Sequence, residues 1–189
     1  IILCNPNNPT GYLLKKNELL EIIPACQKNK TYLLIDEVFM EFVQGQEKCS
    51  LIKEAMKQKY LLVLRSLTKF FSLPGLRIGY LVAHKDLIRN LRLFQPTWSV
   101  NSLAQEIISG GLIDADFIKK TKSYIEKERD FLFTQLKKIK AIYPYYPTAN
   151  FIFSKLADKK INSPSLFKGL IKYGLVIRDC SNFKGLDRR

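Results

Sequence analysis

The chain has 189 residues, 47% of them hydrophobic, 12% aromatic and 25% charged, with 31 Lys and Arg against 17 Asp and Glu, a net charge of +14. That balance excludes disordered, collagen-like and disulfide-scaffold classes, and no apolar run reaches the roughly 18 residues that a membrane-crossing helix needs. The excess lysines (Lys15, Lys16, Lys28, Lys30, Lys53, Lys57, Lys59 and onward) are scattered among acids rather than gathered in a stripe. A solvated basic surface is therefore expected, with no nucleic-acid partner.

Ile1–Cys4 is a short apolar run that breaks into Asn5-Pro-Asn-Asn-Pro-Thr-Gly11, a segment rich in turn formers. The chain thus opens inside a strand-like run without a methionine, and is expected to be cut from a longer polypeptide. Asn17 is placed to cap a helix carrying Leu19, Leu20, Ile22 and Ile23, with Pro24 expected to kink or stop it. Residues 31–36 read as a buried strand, 49–59 as a helix, 60–65 as a second apolar strand and 76–83 as a third. Fully apolar strands alternating with helices predict an α/β fold with a mostly parallel sheet covered on both faces.

Past Lys85 the pattern changes. Residues 85–94, 101–113 and 116–140 read as helices, the last with Tyr124, Ile125, Phe131, Leu132 and Leu136 as its apolar stripe. Residues 150–154 and 175–178 read as strands and 163–173 as a helix. The expected division is 1–94 as part of a large domain, 95–115 as a hinge region and 116–189 as a smaller α+β domain. Cys4, Cys26, Cys49 and Cys180 form no CxxC pair and His84 is the single histidine. No metal site is expected, and free thiols without a secretory apolar region point to a cytoplasmic setting.

Ligands of open α/β sheets bind beyond the carboxyl ends of the strands. Three loops leave the strands there, covering 5–11, 36–42 and 66–77. Asp36-Glu37 at a strand end is by itself a weak signal, equally a helix cap or a surface acid. Lys69 lies between Thr68 and Phe70, an apolar setting in which desolvation favours a neutral, nucleophilic amine. Ser66 and Arg77 flank it with a hydroxyl and a guanidinium suited to a phosphate. Taken alone, each has a plainer reading: Asn8 as a turn former, Lys69 as a solvated loop lysine, Arg77 as a surface ion-pair partner.

Three segments in order, Asn-Pro-Asn-Asn-Pro-Thr-Gly, Asp-Glu-Val-Phe-Met-Glu-Phe and Ser-Leu-Thr-Lys-Phe-Phe-Ser-Leu-Pro-Gly-Leu-Arg-Ile-Gly-Tyr, resemble the signatures of the class I/II aminotransferase superfamily. Its members are pyridoxal-phosphate enzymes of fold type I, and the resemblance runs along the whole chain. It implies that Lys69 bonds the cofactor covalently, that Asp36 faces the pyridine nitrogen and that Asn8 hydrogen-bonds the ring oxygen. It also implies that Ser66 and Arg77 hold the cofactor phosphate and that Val38 packs under the ring. Glu37 and Glu41 are expected to be structural.

Two features narrow the resemblance. Phe39 stands where most of these enzymes have a tyrosine that donates to the cofactor. Val176-Ile-Arg178-Asp-Cys-Ser-Asn-Phe-Lys-Gly185 resembles threonine-phosphate decarboxylases of cobalamin synthesis, whose close relatives are histidinol-phosphate aminotransferases. In both, the arginine matching Arg178 contacts a substrate phosphate; the plainer alternative is an ordinary strand-end arginine. Trp98 and Asn101 are expected to border the site, Asn150 to help position the substrate, and Phe183 to be packing. The implied substrate is a small phosphorylated amino acid, most simply L-threonine O-3-phosphate undergoing decarboxylation. Amino transfer from histidinol phosphate to 2-oxoglutarate is the alternative, and an inactive remnant the remote one. In this superfamily the cofactor-phosphate loop lies upstream of the first signature and the arginine that fixes the carboxylate lies beyond residue 189. The 189 residues alone are thus expected to bind cofactor poorly and to be inactive, whereas the longer protein is expected to be a homodimer.

Overall fold

The computed structural model describes residues 1–109, 114–158 and 160–186. The chain begins with strand β1 (Ile2–Cys4), helix α1 (Lys16–Lys28) and strand β2 (Leu33–Asp36). Two short helices follow, α2 (Gln46–Cys49) and α3 (Ile52–Ala55), then strands β3 (Leu61–Ser66) and β4 (Gly79–Ala83). β1 to β4 form one sheet in that order. β1, β2 and β3 are parallel, as the apolar runs predict, whereas β4 returns antiparallel to β3. The cause is the connection: residues 67–78 hold no helix except a single 3-10 turn at Pro74–Leu76, and a parallel return needs a longer crossover.

One face of the sheet is dry. Leu33, Ile35, Leu61 and Val63 pack against Leu19, Ile23 and Cys26 of α1 and against Leu51 and Ala55 around α3. On the opposite face Leu62 is buried, Leu34 and Leu64 are half-buried and Ile2 is exposed. α1 starts at Lys16, with the Glu18 carboxylate accepting from the Lys15 N–H at 2.6 Å, so Asn17 lies inside the helix and does not cap it. Pro24 neither stops nor ends it. Its ring sits on the exposed side, where the missing N–H meets water. The helix expected over 49–59 is split between α2 and α3, with Ser50 extended between them.

Helices α4 (Lys85–Arg92), α5 (Ser102–Ser109) and α6 (Ala115–Lys137) follow. The expected helix over 101–113 and hinge over 95–115 both include residues 110–113, and the expected small domain includes 159 and 187–189; these lie outside the described residues. On α6, Tyr124 and Phe131 are exposed rather than part of an inward stripe, and Phe133 packs edge-on against Tyr146 at 5.3 Å. β5 (Ile142–Pro144), not anticipated, pairs antiparallel with β6 (Ser154–Leu156). Proline at its end hides it from a pattern search. β6 begins where the expected 150–154 strand ends. Helix α7 covers Ser163–Ile171, and residues 175–178, expected as a strand, form none and pair in neither sheet. Among the described residues no helix is long and apolar enough to cross a membrane.

Candidate active site

The register sets Cys4 beside Asp36 and Asp36 beside Leu64, so β1, β2 and β3 end together at their carboxyl edges. Because β4 is antiparallel, it starts at that same edge, with Gly79 opposite Ser66. All three signature loops therefore meet there. A Cβ on Gly79 would lie 2.6 Å from the Arg65 carbonyl oxygen, so this closeness of β3 and β4 needs glycine.

The first loop is held by Asn5, which is fully buried. Its Oδ1 accepts from the Leu14 N–H at 2.8 Å and its Nδ2 donates to the Leu14 carbonyl at 3.3 Å. Asn5 takes the structural work that a turn-forming reading would give to Asn8, leaving Asn8 exposed at the pocket. Thr148, from the far part of the chain, donates its hydroxyl to the Gly11 carbonyl at 2.6 Å.

A buried ionic cluster holds the second loop. Glu37, 0% exposed, accepts from Ser50 Oγ at 2.7 Å, from the Leu51 N–H at 2.8 Å and from Arg65 Nε at 2.9 Å. Arg65, 4% exposed, also bonds Glu41, which accepts from Gln46 Nε2 at 2.7 Å. Every charge in the cluster has a partner, the condition under which buried ions are tolerated. Glu37 and Glu41 thus tie β2, β3, α2 and α3 together directly behind Asp36.

A cavity of about 370 Å³ opens at this edge, lined by Cys4, Pro6, Asn8, Asp36, Val38, Phe39, Lys69 and Phe183. It brings Asn8, Asp36 and Lys69 together from three separate loops. The Asp36 carboxylate is oriented at both oxygens. Oδ1 accepts from the Val38 N–H at 3.0 Å, and the Cys4 thiol lies 3.6 Å from Oδ2. Burial, then the neighbouring Asp36 charge, pushes the Cys4 thiol up from its ordinary range. Phe39 meets Phe151 edge-on at 5.1 Å, an apolar contact where a tyrosine would bring a hydroxyl.

Lys69 is exposed at the mouth of the cavity rather than desolvated. Its neighbour Phe70, at 2% exposure, takes the inward position and packs against Phe42 and Phe71. Ser66 and Arg77 reach the same edge but fall outside the cavity lining. Ser66 Oγ shares a hydrogen bond with Thr68 Oγ1 at 2.7 Å, and Arg77 donates from Nη1 to the Pro74 carbonyl at 2.9 Å. Arg77 holds a left-handed backbone at φ 50°, a conformation uncommon outside glycine and concentrated at functional loops. Asn101 donates to the Leu76 carbonyl at 2.9 Å, bracing that loop, while Trp98 points into solvent.

Arg178 lies in a second, larger cavity of about 830 Å³ that also touches Asn8 and is otherwise mainly apolar, with Leu132, Leu136 and Leu166 in its wall. Asn150 is exposed and lines neither cavity. Three pocket residues, Phe183, Cys4 and Pro6, escaped the sequence reading. Phe183 was assigned to packing, and Cys4 was considered only as a metal or disulfide candidate. The parallel pairing of Cys4 with Asp36 is the signal that would have found the second.

The model of the family "Aminotransferase class I and II" matches residues 1–186. The solved histidinol-phosphate aminotransferase from Clostridium acetobutylicum superposes with a TM-score of 0.91 at 34% identity, covering 99% of this chain and 56% of that one. L-threonine-O-3-phosphate decarboxylase from Porphyromonas gingivalis gives a TM-score of 0.84 at 31% identity, with the same coverage of 99% and 56%. The adenosylcobalamin biosynthesis bifunctional protein CobDQ of Leptospira interrogans is 34% identical over 188 residues, all of this chain and 21% of that protein. Other curated relatives are matched over about half their own length.

Proposed function

The chain belongs to the class I and II aminotransferase family, and from that premise we propose that it forms part of a pyridoxal-phosphate enzyme decarboxylating L-threonine O-3-phosphate. The observation that carries the cofactor reading is the cavity that gathers Asn8, Asp36 and Lys69. The donor set fits the family's cofactor: a carboxylate for a protonated ring nitrogen, an amide for a ring oxygen and a primary amine for an aldehyde. When bound, that cofactor supplies an electron sink for a bond broken at the substrate Cα.

The chain's own groups divide the remaining work. Asp36, whose Oδ1 accepts from the Val38 N–H and whose Oδ2 lies 3.6 Å from the Cys4 thiol, would face the ring nitrogen and hold a proton there. Asn8 donates to the ring oxygen. Lys69 would hold the cofactor through its amine and would carry a proton to or from Cα. Val38 and Phe39 supply an apolar wall that keeps water from the ring. Ser66 and Arg77 are the donors to the cofactor phosphate, and Arg178 binds the substrate phosphate with its planar fork. Asn150, exposed beside Phe151, is the remaining candidate for substrate contact.

The decarboxylase reading rests on the Arg178–Gly185 string, on Phe39 and on the likeness to the Porphyromonas enzyme. The higher TM-score of the Clostridium aminotransferase favours amino transfer from histidinol phosphate as the second reading. The same proposal includes the division at 1–94 and 116–189, a cytoplasmic location and a homodimer. In support of the dimer, Leu93, Phe94, Trp98 and Leu103 are exposed within one short stretch. Residues 1–189 alone are inferred to hold cofactor weakly and to be inactive, because the family resemblance places a cofactor-phosphate loop upstream of the first signature.

The test is a product assay on the polypeptide that carries these residues, loaded with pyridoxal phosphate. Threonine phosphate should release one carbon dioxide per 1-aminopropan-2-ol phosphate formed, without 2-oxoglutarate. Amino transfer from histidinol phosphate that depends on 2-oxoglutarate, with no carbon dioxide released, would overturn the decarboxylase reading.

A further inference from the structure

Phe183 enters the Asp36–Lys69 cavity from the other end of the chain. The guanidinium carbon of Arg178 lies 5.4 Å from its ring centroid, within the range of a cation–π contact. Arg178 Nη2 donates to Asn182 Oδ1 at 3.1 Å. An arginine has five N–H donors, so this one bond leaves the others for an anion. The turn carrying both partners is itself fixed. Ser181 donates from its N–H and its hydroxyl to the Asp179 carboxylate at 2.9 and 3.1 Å, the Phe183 N–H donates to the Cys180 carbonyl at 3.0 Å, and Cys180 is buried.

We propose that Phe183 and Asn182 are positioning residues that hold the exposed Arg178 in one orientation beside the Asp36–Lys69 cavity, so that a phosphomonoester is bound at a set span from the cofactor position. The inference rests on the phosphate role proposed for Arg178. An arginine on a bare surface samples many rotamers, and a flat ring under one face together with an acceptor at one edge selects among them. Phe183 meets the cavity and the guanidinium together, so it joins the two binding regions mechanically. Its assignment to simple packing does not account for the stacking on Arg178.

The experiment titrates the full chain with L-threonine O-3-phosphate and, in parallel, with L-threonine. It follows the Arg178 side-chain N–H signal by nuclear magnetic resonance in the wild type and in Arg178→Ala, Phe183→Leu, Phe183→Tyr and Asn182→Ala. Phe183→Leu should abolish the ring-current shift of Arg178 and weaken threonine phosphate binding about 2- to 5-fold. Phe183→Tyr should restore both, and binding of L-threonine should be unaffected. Asn182, on the surface, gives a variant without risk to folding, and Asn182→Ala should weaken phosphate binding in the same direction. If Arg178→Ala binds threonine phosphate as tightly as wild type, the phosphate role itself fails. Loss of binding in Arg178→Ala with wild-type affinity in both Phe183→Leu and Asn182→Ala would overturn the positioning inference alone.

Discussion

Replacing Glu37 with alanine is expected to be among the most damaging single changes in the large sheet. The carboxylate serves four donors from three directions: Ser50 Oγ, the Leu51 N–H, and Nε and Nη2 of Arg65. Its loss leaves Arg65 buried with Glu41 as its remaining carboxylate and strands the Leu51 N–H in a dry core. Removing one partner of a buried pair costs about 3–5 kcal/mol, and the surviving Glu41 contact places the effect near the lower end. With a urea dependence of about 2 kcal/mol per molar, the unfolding midpoint followed by circular dichroism should fall by about 1.5 M. Glu37→Gln should fall less, because it still accepts from Leu51. The pair Glu37→Leu with Arg65→Met should recover part of the loss, since no buried charge is then stranded at Arg65. A midpoint for Glu37→Ala within about 0.5 M of wild type, equivalent to about 1 kcal/mol, would refute the reasoning.

Three further outcomes follow from the geometry. Gly79→Ala forces a methyl group to 2.6 Å from the Arg65 carbonyl, and should lower stability by about 1–3 kcal/mol in the same urea assay. Alkylation of Cys4 should show a pH midpoint above that of free cysteine, because burial and then the Asp36 charge oppose the thiolate; Asp36→Asn should move that midpoint to lower pH. Asp179 is held below the usual carboxylate range, first by the Ser181 N–H and then by the Ser163 hydroxyl. Its contribution to the 179–183 turn is therefore complete above the ordinary aspartate range and is lost as pH falls through the depressed folded value. The Ser181 amide shift should report a midpoint below that of an unstructured aspartate.

The first half of the fold was legible because its strands are buried, and buried strands announce themselves as continuous apolar runs. Leu33–Asp36 and Leu61–Ser66 fall within one or two residues of the expected spans. The direction of β4 was not legible, since orientation depends on what the connection contains rather than on the strand's own residues. The later half was read less well. β5 and β6 are three residues each, too short for alternation to show. α6 buries no residue fully, so its apolar positions do not mark an inward face.

For the candidate site, loop placement together with the family resemblance pointed to Asn8, Asp36 and Lys69, which line one cavity. The sequence reading misjudged the burial of Lys69, because the alternation of inward and outward positions in a turn is set by the turn itself, and Phe70 took the inward place. It also missed Asn5, Cys4 and Phe183. Asn5 acts through hydrogen bonds to Leu14 in the backbone, which no spacing rule displays. Phe183 reaches the cavity from about 110 residues beyond Lys69, through a turn whose position only tertiary packing determines.

The central claim is that the cavity of Asp36 and Lys69 is built for pyridoxal phosphate, and it is tested on the longer polypeptide that carries these residues by borohydride trapping followed by peptide mapping. At limiting cofactor, one equivalent of label should be found on the peptide containing Lys69, and Asp36→Ala should reduce it. Label spread over the surface lysines in proportion to their exposure, with Lys69 no more modified than Lys15 or Lys57 and no response to Asp36→Ala, would contradict the account.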